Sequence, residues 1–375
     1  MNFLPAKRIT TSPGHHYFGY YDKCPWDSSG RYFLSMEVDF IDRPPTPDDK
    51  ASIGMMDLES GEWIPLDETL AWNWQQSTML QWLGDSCDGR IVYNVREDDQ
   101  YRSLIRNVHT GETRILPRPI YAASRDGKSA VTLNFSRVNR TRPGYGYNGV
   151  PDDWQGELHP SEDGIYWQNL ETGDNRLIIT LDQIVNIGHD DTMDGAEHWF
   201  NHLQFCRDDS RFLFLHRWRK GERGSYTRLF TAYPDGSDIR CIADHELVSH
   251  FDWKDGKHIL AWARKYDVGD FFFLYEDQSE NYEIIGEGVM VQDGHCSYSP
   301  DESWILNDTY PDSESMRTLY LYHPGSNQRF DVGRFLSPPE ISGEIRCDLH
   351  PRWNRDGTRV CFDSAHEGER QIYEV

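Results

Sequence analysis

Four histidines recur at one point of a short phrase in the second half of the chain: His202-Leu-Gln-Phe205, His250-Phe-Asp-Trp253, His295-Cys-Ser-Tyr298 and His350-Pro-Arg-Trp353. Imidazole transfers protons near neutral pH and ligates divalent transition metals, so histidines gathered in space could do either. Asp348 lies two residues before His350, and strand alternation would put both on one face. With His295 they offer two nitrogens and one carboxylate, a set suited to manganese or zinc rather than to calcium, which prefers oxygen ligands. His250 and His202 are then left for proton transfer. Arg217 and Arg219 close the apolar run that follows His202, and alternation places the two on one face, where a guanidinium could neutralise an anionic group.

The elements that must carry these residues repeat. Each histidine phrase is followed by an Asp-containing turn and a strand-like run, with Asp209, Asp255, Asp301 and Asp356 at intervals of 46, 46 and 55 residues. Toward the N-terminus the same frame continues without the histidine, at Trp26, Trp82 and Ser124, which makes seven copies. A second pair of apolar stretches trails each of the first six, whereas the seventh has only Gln371 to Val375 left. Such a period, with turns between runs of Ile, Val, Tyr, Phe and Trp, predicts an all-β protein: one seven-bladed β-propeller over residues 1–375, with four-stranded antiparallel blades around a central channel. An N-terminal strand at about Arg8 to Thr11 is expected to complete the last blade. Inner strands line the channel, so histidines heading the inner strands of blades 4 to 7 would share one sector of one mouth.

Asp126 and Asp209 are 83 residues apart, more than a blade needs, so a long insertion is expected at about 136–200. Its Arg137, Arg140 and Tyr145, in a Gly-rich stretch, suit an anionic sugar: guanidinium for carboxylate, aromatic ring for sugar face. Two distinctive early phrases, 14–22 and 72–76, add His16 and Gln76 as candidate substrate contacts. The 38 Lys and Arg against 62 Asp and Glu give a net charge of −24, which argues against nucleic acid or an anionic membrane as partner. The first residues lack the apolar core of a secretory signal, no apolar run has transmembrane length, and the seven cysteines are odd in number and scattered. A cytoplasmic protein with reduced thiols is the expectation.

The order of these phrases, with a histidine opening the inner strands of the last four blades and a terminal Asp-Leu-His350-Pro-Arg-Trp, resembles the oligogalacturonate lyases and, more loosely, the ulvan lyases. Both are seven-bladed propellers that cut uronate-containing glycans by β-elimination. The resemblance follows blade order along nearly the whole chain, and its specific motifs lie within 198–366. It implies that His295 and His350 match metal ligands and that His250 matches the catalytic histidine. Asp348 stands where that family has a histidine and Ile345 where it has a glutamine, so the ligand set differs.

β-Elimination beside a uronate needs a cation against the carboxylate and a base for the α-proton. Arg217 and the metal suit the first role and His250 the second, with His202 or a tyrosine of the 137–147 stretch returning a proton to the leaving oxygen. The expected partner is an acidic oligosaccharide. A glycoside hydrolase would need a carboxylate pair, for which Asp308, Asp363 and Glu197 are the candidates. A propeller that only binds a glycan or protein is the third reading.

Overall fold

The computed structural model describes residues 3–11, 13–221 and 224–375. They form seven four-stranded antiparallel sheets, the blades of the propeller the repeat predicts. The first strands of successive blades are His15–Tyr17, Gln81–Trp82, Ala122–Ala123, Glu197–Phe205, Val248–Trp253, Ser297–Tyr298 and Arg352–Trp353. Burial identifies which edge faces the axis. In blade 4 the first strand is buried at nearly every position, while the fourth, Arg240–Ala243, is largely exposed. The ring closes by sharing a blade between the two chain ends, since Lys7–Arg8 pairs antiparallel with Gln371–Glu374. The closing strand is thus shorter than expected and begins one residue earlier, but Ile9 still donates to the Ile372 carbonyl and Thr10 to the Gln371 side chain.

The aromatic residue of the repeated phrase has a structural purpose. The indoles of Trp82, Trp253 and Trp353 donate to the carbonyls of Pro25, Gln204 and Ser297. Each acceptor directly precedes the phrase aromatic of the preceding blade, so the bond sets neighbouring blades in register while the ring fills the space between them. Two of the four phrase histidines, His202 and His350, have positive φ, 51° and 42°. The ladder is interrupted by bulges at Asn201/Gln204 and at Val248/Phe251. Such bulges turn a side chain out of the sheet, here toward the channel mouth.

The insertion splits into two parts. Residues 133–163 lie within blade 3 and begin with the helix Phe135–Thr141, whose first turn is capped by Asn134 accepting from the Arg137 amide. Residues 181–196, with the short helix Leu181–Val185, join blade 3 to blade 4. Gly146 packs on the first helix so closely that a Cβ there would stand 2.1 Å from the Asn139 nitrogen, and of its neighbours Tyr145 meets His202 while Tyr147 stacks on Phe135. Among the described residues no helix is long and apolar enough to cross a membrane. All seven cysteines are free thiols.

Candidate functional site

All four phrase histidines are buried and meet at one mouth of the channel. His250 and His295 have ring centroids 4.1 Å apart, and His295 and His350 4.4 Å apart. His202 stacks on Tyr20 at 4.8 Å with an interplanar angle of 5°, and Tyr20 also meets His350 edge-on at 4.9 Å. Tyr20 is thus the hub that binds blade 4 to blade 7 across the channel.

Second partners set the state of each ring. His295 Nδ1 lies 2.9 Å from Asp308 Oδ1, and its backbone amide donates to the same oxygen at 2.7 Å. An ionised carboxylate only accepts, so Nδ1 carries the proton and Nε2 keeps a lone pair directed into the cluster. The close approach depends on Gly294, where a Cβ would stand 2.0 Å from the Asp308 carbonyl oxygen. His250 repeats the arrangement with Asp293 at 2.9 Å, again leaving Nε2 as a base. Burial lowers the His250 pKa below 6.5 although Asp293 opposes the shift, so the ring is neutral and basic at neutral pH. His202 Nδ1 accepts from the Gln76 amide at 3.0 Å, which leaves its Nε2–H facing the Tyr20 hydroxyl at 3.4 Å.

His350 has no hydrogen bond to either ring nitrogen, although both are buried. One such atom costs about 1–3 kcal/mol unless something absent from the chain satisfies it. His295, Asp348 and His350 each present a ligand atom within 4.8 Å of the others. Burial would raise the Asp348 carboxyl, but ion pairs to Arg317 and Arg346 outweigh it and hold the group far below the usual carboxylate range. Each Asp348 oxygen retains a second lone pair beside its guanidinium. Among the described residues these three form a donor set that fits a divalent ion. Their meeting does not arise from strand alternation, because 346–351 is not a strand and His350 is left-handed.

Arg217 joins the cluster from blade 4. Its guanidinium makes no hydrogen bond or ion pair among the described residues, and its buried Nε has no partner. Burial and then the neighbouring Arg142 push its pKa down to about 9, with Tyr145, Tyr20 and Tyr310 the nearest groups of opposite effect. Tyr145 enters from the insertion, 5.5 Å from His202 by ring centroid, and its hydroxyl accepts from Arg346 at 2.6 Å. Burial raises the Tyr145 pKa, yet Arg346 and Arg142 outweigh burial and the net shift is downward.

Other expected residues fall elsewhere. Arg137 is spent inside the fold: its guanidinium donates to the carbonyls of His198 at 2.7 Å and of Glu157 and Leu158 at 2.8 Å. Arg140 is neutralised by Asp152 at 2.8 Å and by Glu197, so neither arginine is free for an anionic sugar. His16 lies in blade 1 against Trp63, with Nε2 3.6 Å from Glu37, and touches none of the four histidines. Arg219 shares the face of Arg217 as alternation requires but lies further out, half-buried beside the Trp199 indole. Gln76 does reach the site, as a holder of His202. Asp293, Arg317, Arg346 and Tyr20 were not among the expected residues, and Asp308, expected only as a hydrolase carboxylate, instead orients His295. The sequence offered a signal for Tyr20 alone, in the aromatic-rich phrase 14–22.

The sequence matches no family model, and no curated protein matches it either. Solved structures do. An oligogalacturonate lyase in complex with manganese superposes with a TM-score of 0.71 at 17% identity, over 98% of this chain and 92% of that one. An oligogalacturonate lyase from Vibrio parahaemolyticus gives 0.69 at 14% identity, over 99% and 93%. The propeller domain of the Trilobed protease from Pyrococcus furiosus gives 0.54 at 9%, over 96% and 95%. The chain is therefore similar in fold, along its whole length, to oligogalacturonate lyases, as the order of its phrases implied.

Proposed function

We propose that this protein is a lyase that cleaves a uronate-bearing oligosaccharide by β-elimination, with a divalent cation held by His295, Asp348 and His350. The observation that carries this reading is an unneutralised buried guanidinium, Arg217, acting on His202 within the cluster that also holds His250, a histidine whose far nitrogen is left as a base. A guanidinium without a carboxylate partner in a protein of net charge −24 is a vacancy for an anion. Arg217 binds the uronate carboxylate there and offsets the negative charge that grows as the α-proton leaves. His250 Nε2 takes that proton, and Asp293 stabilises the imidazolium that results. His202 or Tyr145 returns a proton to the leaving oxygen. When bound, the cation supplies Lewis-acid stabilisation of the charge developing on the substrate. Two imidazoles in the donor set favour manganese or zinc over calcium, and a neighbour in fold carries manganese.

Hydrolysis is disfavoured because its candidate carboxylates are engaged by bases: Asp308 with His295, Asp363 with Arg352, Glu197 with Arg140. The deciding experiment follows ultraviolet absorbance of the unsaturated uronate product over a panel of acidic oligosaccharides, with manganese or zinc added. A rise that EDTA suppresses supports the reading. New reducing ends without absorbance would mean hydrolysis, and neither signal would leave a binding protein.

A further inference from the structure

The channel has a second mouth with its own charge. Each inner strand ends in a turn at the face opposite the histidines, and three of those turns carry an arginine at the same place, two residues after the last residue of the strand: Arg125 in blade 3, Arg207 in blade 4 and Arg355 in blade 7. Together with Lys23 they line a cavity of about 270 Å³, and Lys23, Arg125 and Arg355 continue into a neighbouring lobe of about 240 Å³. The carboxylates lining the first lobe are Asp22 and Asp252. Asp22 is tied to Lys23 at 2.7 Å, and Asp252 is occupied by the Gln204 amide at 2.8 Å and the Tyr298 backbone amide at 2.8 Å. The cavity is thus a net positive space in a chain whose overall charge is −24.

These arginines differ in what already holds them. Arg207 is fixed by the carbonyls of Trp253, Tyr298, Ser299 and Pro300, which leaves its full charge without a carboxylate. Among the described residues Arg355 donates to the Trp26 carbonyl alone, at 3.0 Å. The Arg125 guanidinium has no hydrogen bond or ion pair among the described residues. It is exposed to the water of the cavity, yet the surrounding blades and Arg207 lower its pKa. The cavity is also separate from the histidine cluster. Tyr21 lines the cavity and on its other side meets His250 and His295 edge-on, at 5.9 and 5.3 Å. Its hydroxyl bonds to both the carbonyl and the amide of Phe251, so the ring is a fixed partition.

We infer that this second mouth is a binding site for a small polyanion, a molecule with two or more carboxylate or phosphate groups, seated between Arg125 and Arg355 with Arg207 and Lys23 behind. Guanidinium forks match both groups, and the two lobes, about 270 and 240 Å³, have room for a small molecule of this kind. The inference does not rest on the lyase reading.

Calorimetric titration with pyrophosphate and, separately, with the tricarboxylate tricarballylate tests it, against sodium chloride of equal ionic strength. At least one anion should bind one per chain. The double variant Arg125→Gln/Arg355→Gln should weaken that binding about tenfold or more, whereas Arg240→Gln, on an exposed outer strand, should leave it unchanged. Which anion binds tells phosphate from carboxylate. Heats no larger than those of chloride would overturn the inference, and so would binding that the double variant retains.

Discussion

Replacing Arg217 with methionine should make the protein more stable and less active. The guanidinium is 7% exposed, and its pKa is depressed from 12.5 to about 9. At about 1.36 kcal/mol per pK, that depression corresponds to roughly 5 kcal/mol of unrelieved charge. A base whose folded pKa lies below its unfolded value carries the whole penalty at every pH below the folded value, so it is fully present at neutral pH. Part of it will not be recovered, because the arginine stem also packs and its surroundings relax; a gain of about 1–3 kcal/mol is the expectation. Urea denaturation at pH 7.5 reads it as a higher midpoint with unchanged slope. Turnover in the elimination assay should fall by roughly 10²-fold or more, the scale for removing one donor to developing charge. A uronate monosaccharide at about 100 times its dissociation constant should stabilise the native protein by about 2.7 kcal/mol and the variant far less. Loss of more than about 1 kcal/mol in the variant would refute the reasoning, since it would mean that Arg217 is a structural residue with partners of its own.

Other substitutions separate chemistry from fold. His250→Ala should abolish turnover with an unchanged urea midpoint, and a variant of full activity would remove His250 as the base. Asp308→Asn should weaken metal binding about 10–100-fold in a direct titration, because His295 loses the carboxylate that fixes its tautomer, and an unchanged affinity would put the metal elsewhere. Arg137→Met should cost roughly 1–3 kcal/mol, since the buried His198 carbonyl loses a charged donor and those of Glu157 and Leu158, at the edge of solvent, lose one too, and a neutral result would contradict the clamp. Stability should also fall with acid. Burial lowers the His16 pKa to about 4 and that of His198 to about 3, so both are neutral in the folded state and stability is full above 6.5. Below 6.5 the unfolded chain takes up protons that the folded one does not, and each histidine costs about 1.4 kcal/mol per pH unit, roughly 4 kcal/mol for the pair by pH 5. Equal urea midpoints at pH 7.5 and pH 5 would show these rings to be accessible.

What was legible in the sequence follows from what the repeat encodes. The phrase aromatics could be read as a propeller because Trp82, Trp253 and Trp353 do the same physical task in each blade, bonding to the blade before. The histidines could be read as neighbours because they occupy one position of that frame, and a ring converts equal positions into proximity. Residues outside the frame were not legible in this way. Tyr20 and Tyr21 arrive on the segment that plugs the channel, and a sequence shows that such a segment is aromatic but not that it lies on the axis. Asp308 reads as an ordinary strand-end residue, since nothing in its own neighbourhood reveals that Gly294 brings His295 against it.

Arginine was the hardest residue to place, because its type gives its charge and its neighbours in space decide its use. Arg137 looked like a sugar ligand in a Gly-rich loop, but the Asn134 cap starts a helix there and turns the side chain onto the carbonyls of the next segment. Arg217, at the end of an ordinary strand, has no such carbonyls, and the carboxylates nearest its cluster are already engaged: Asp308 by His295, Asp293 by His250, Asp348 by Arg317 and Arg346. The same engagement that fixes the tautomers of the histidines leaves the Arg217 guanidinium without a counter-charge. A site whose carboxylates are all engaged has placed the unsatisfied charge of Arg217 where an acidic substrate can satisfy it, and this is why stability and turnover should move in opposite directions when that arginine is removed.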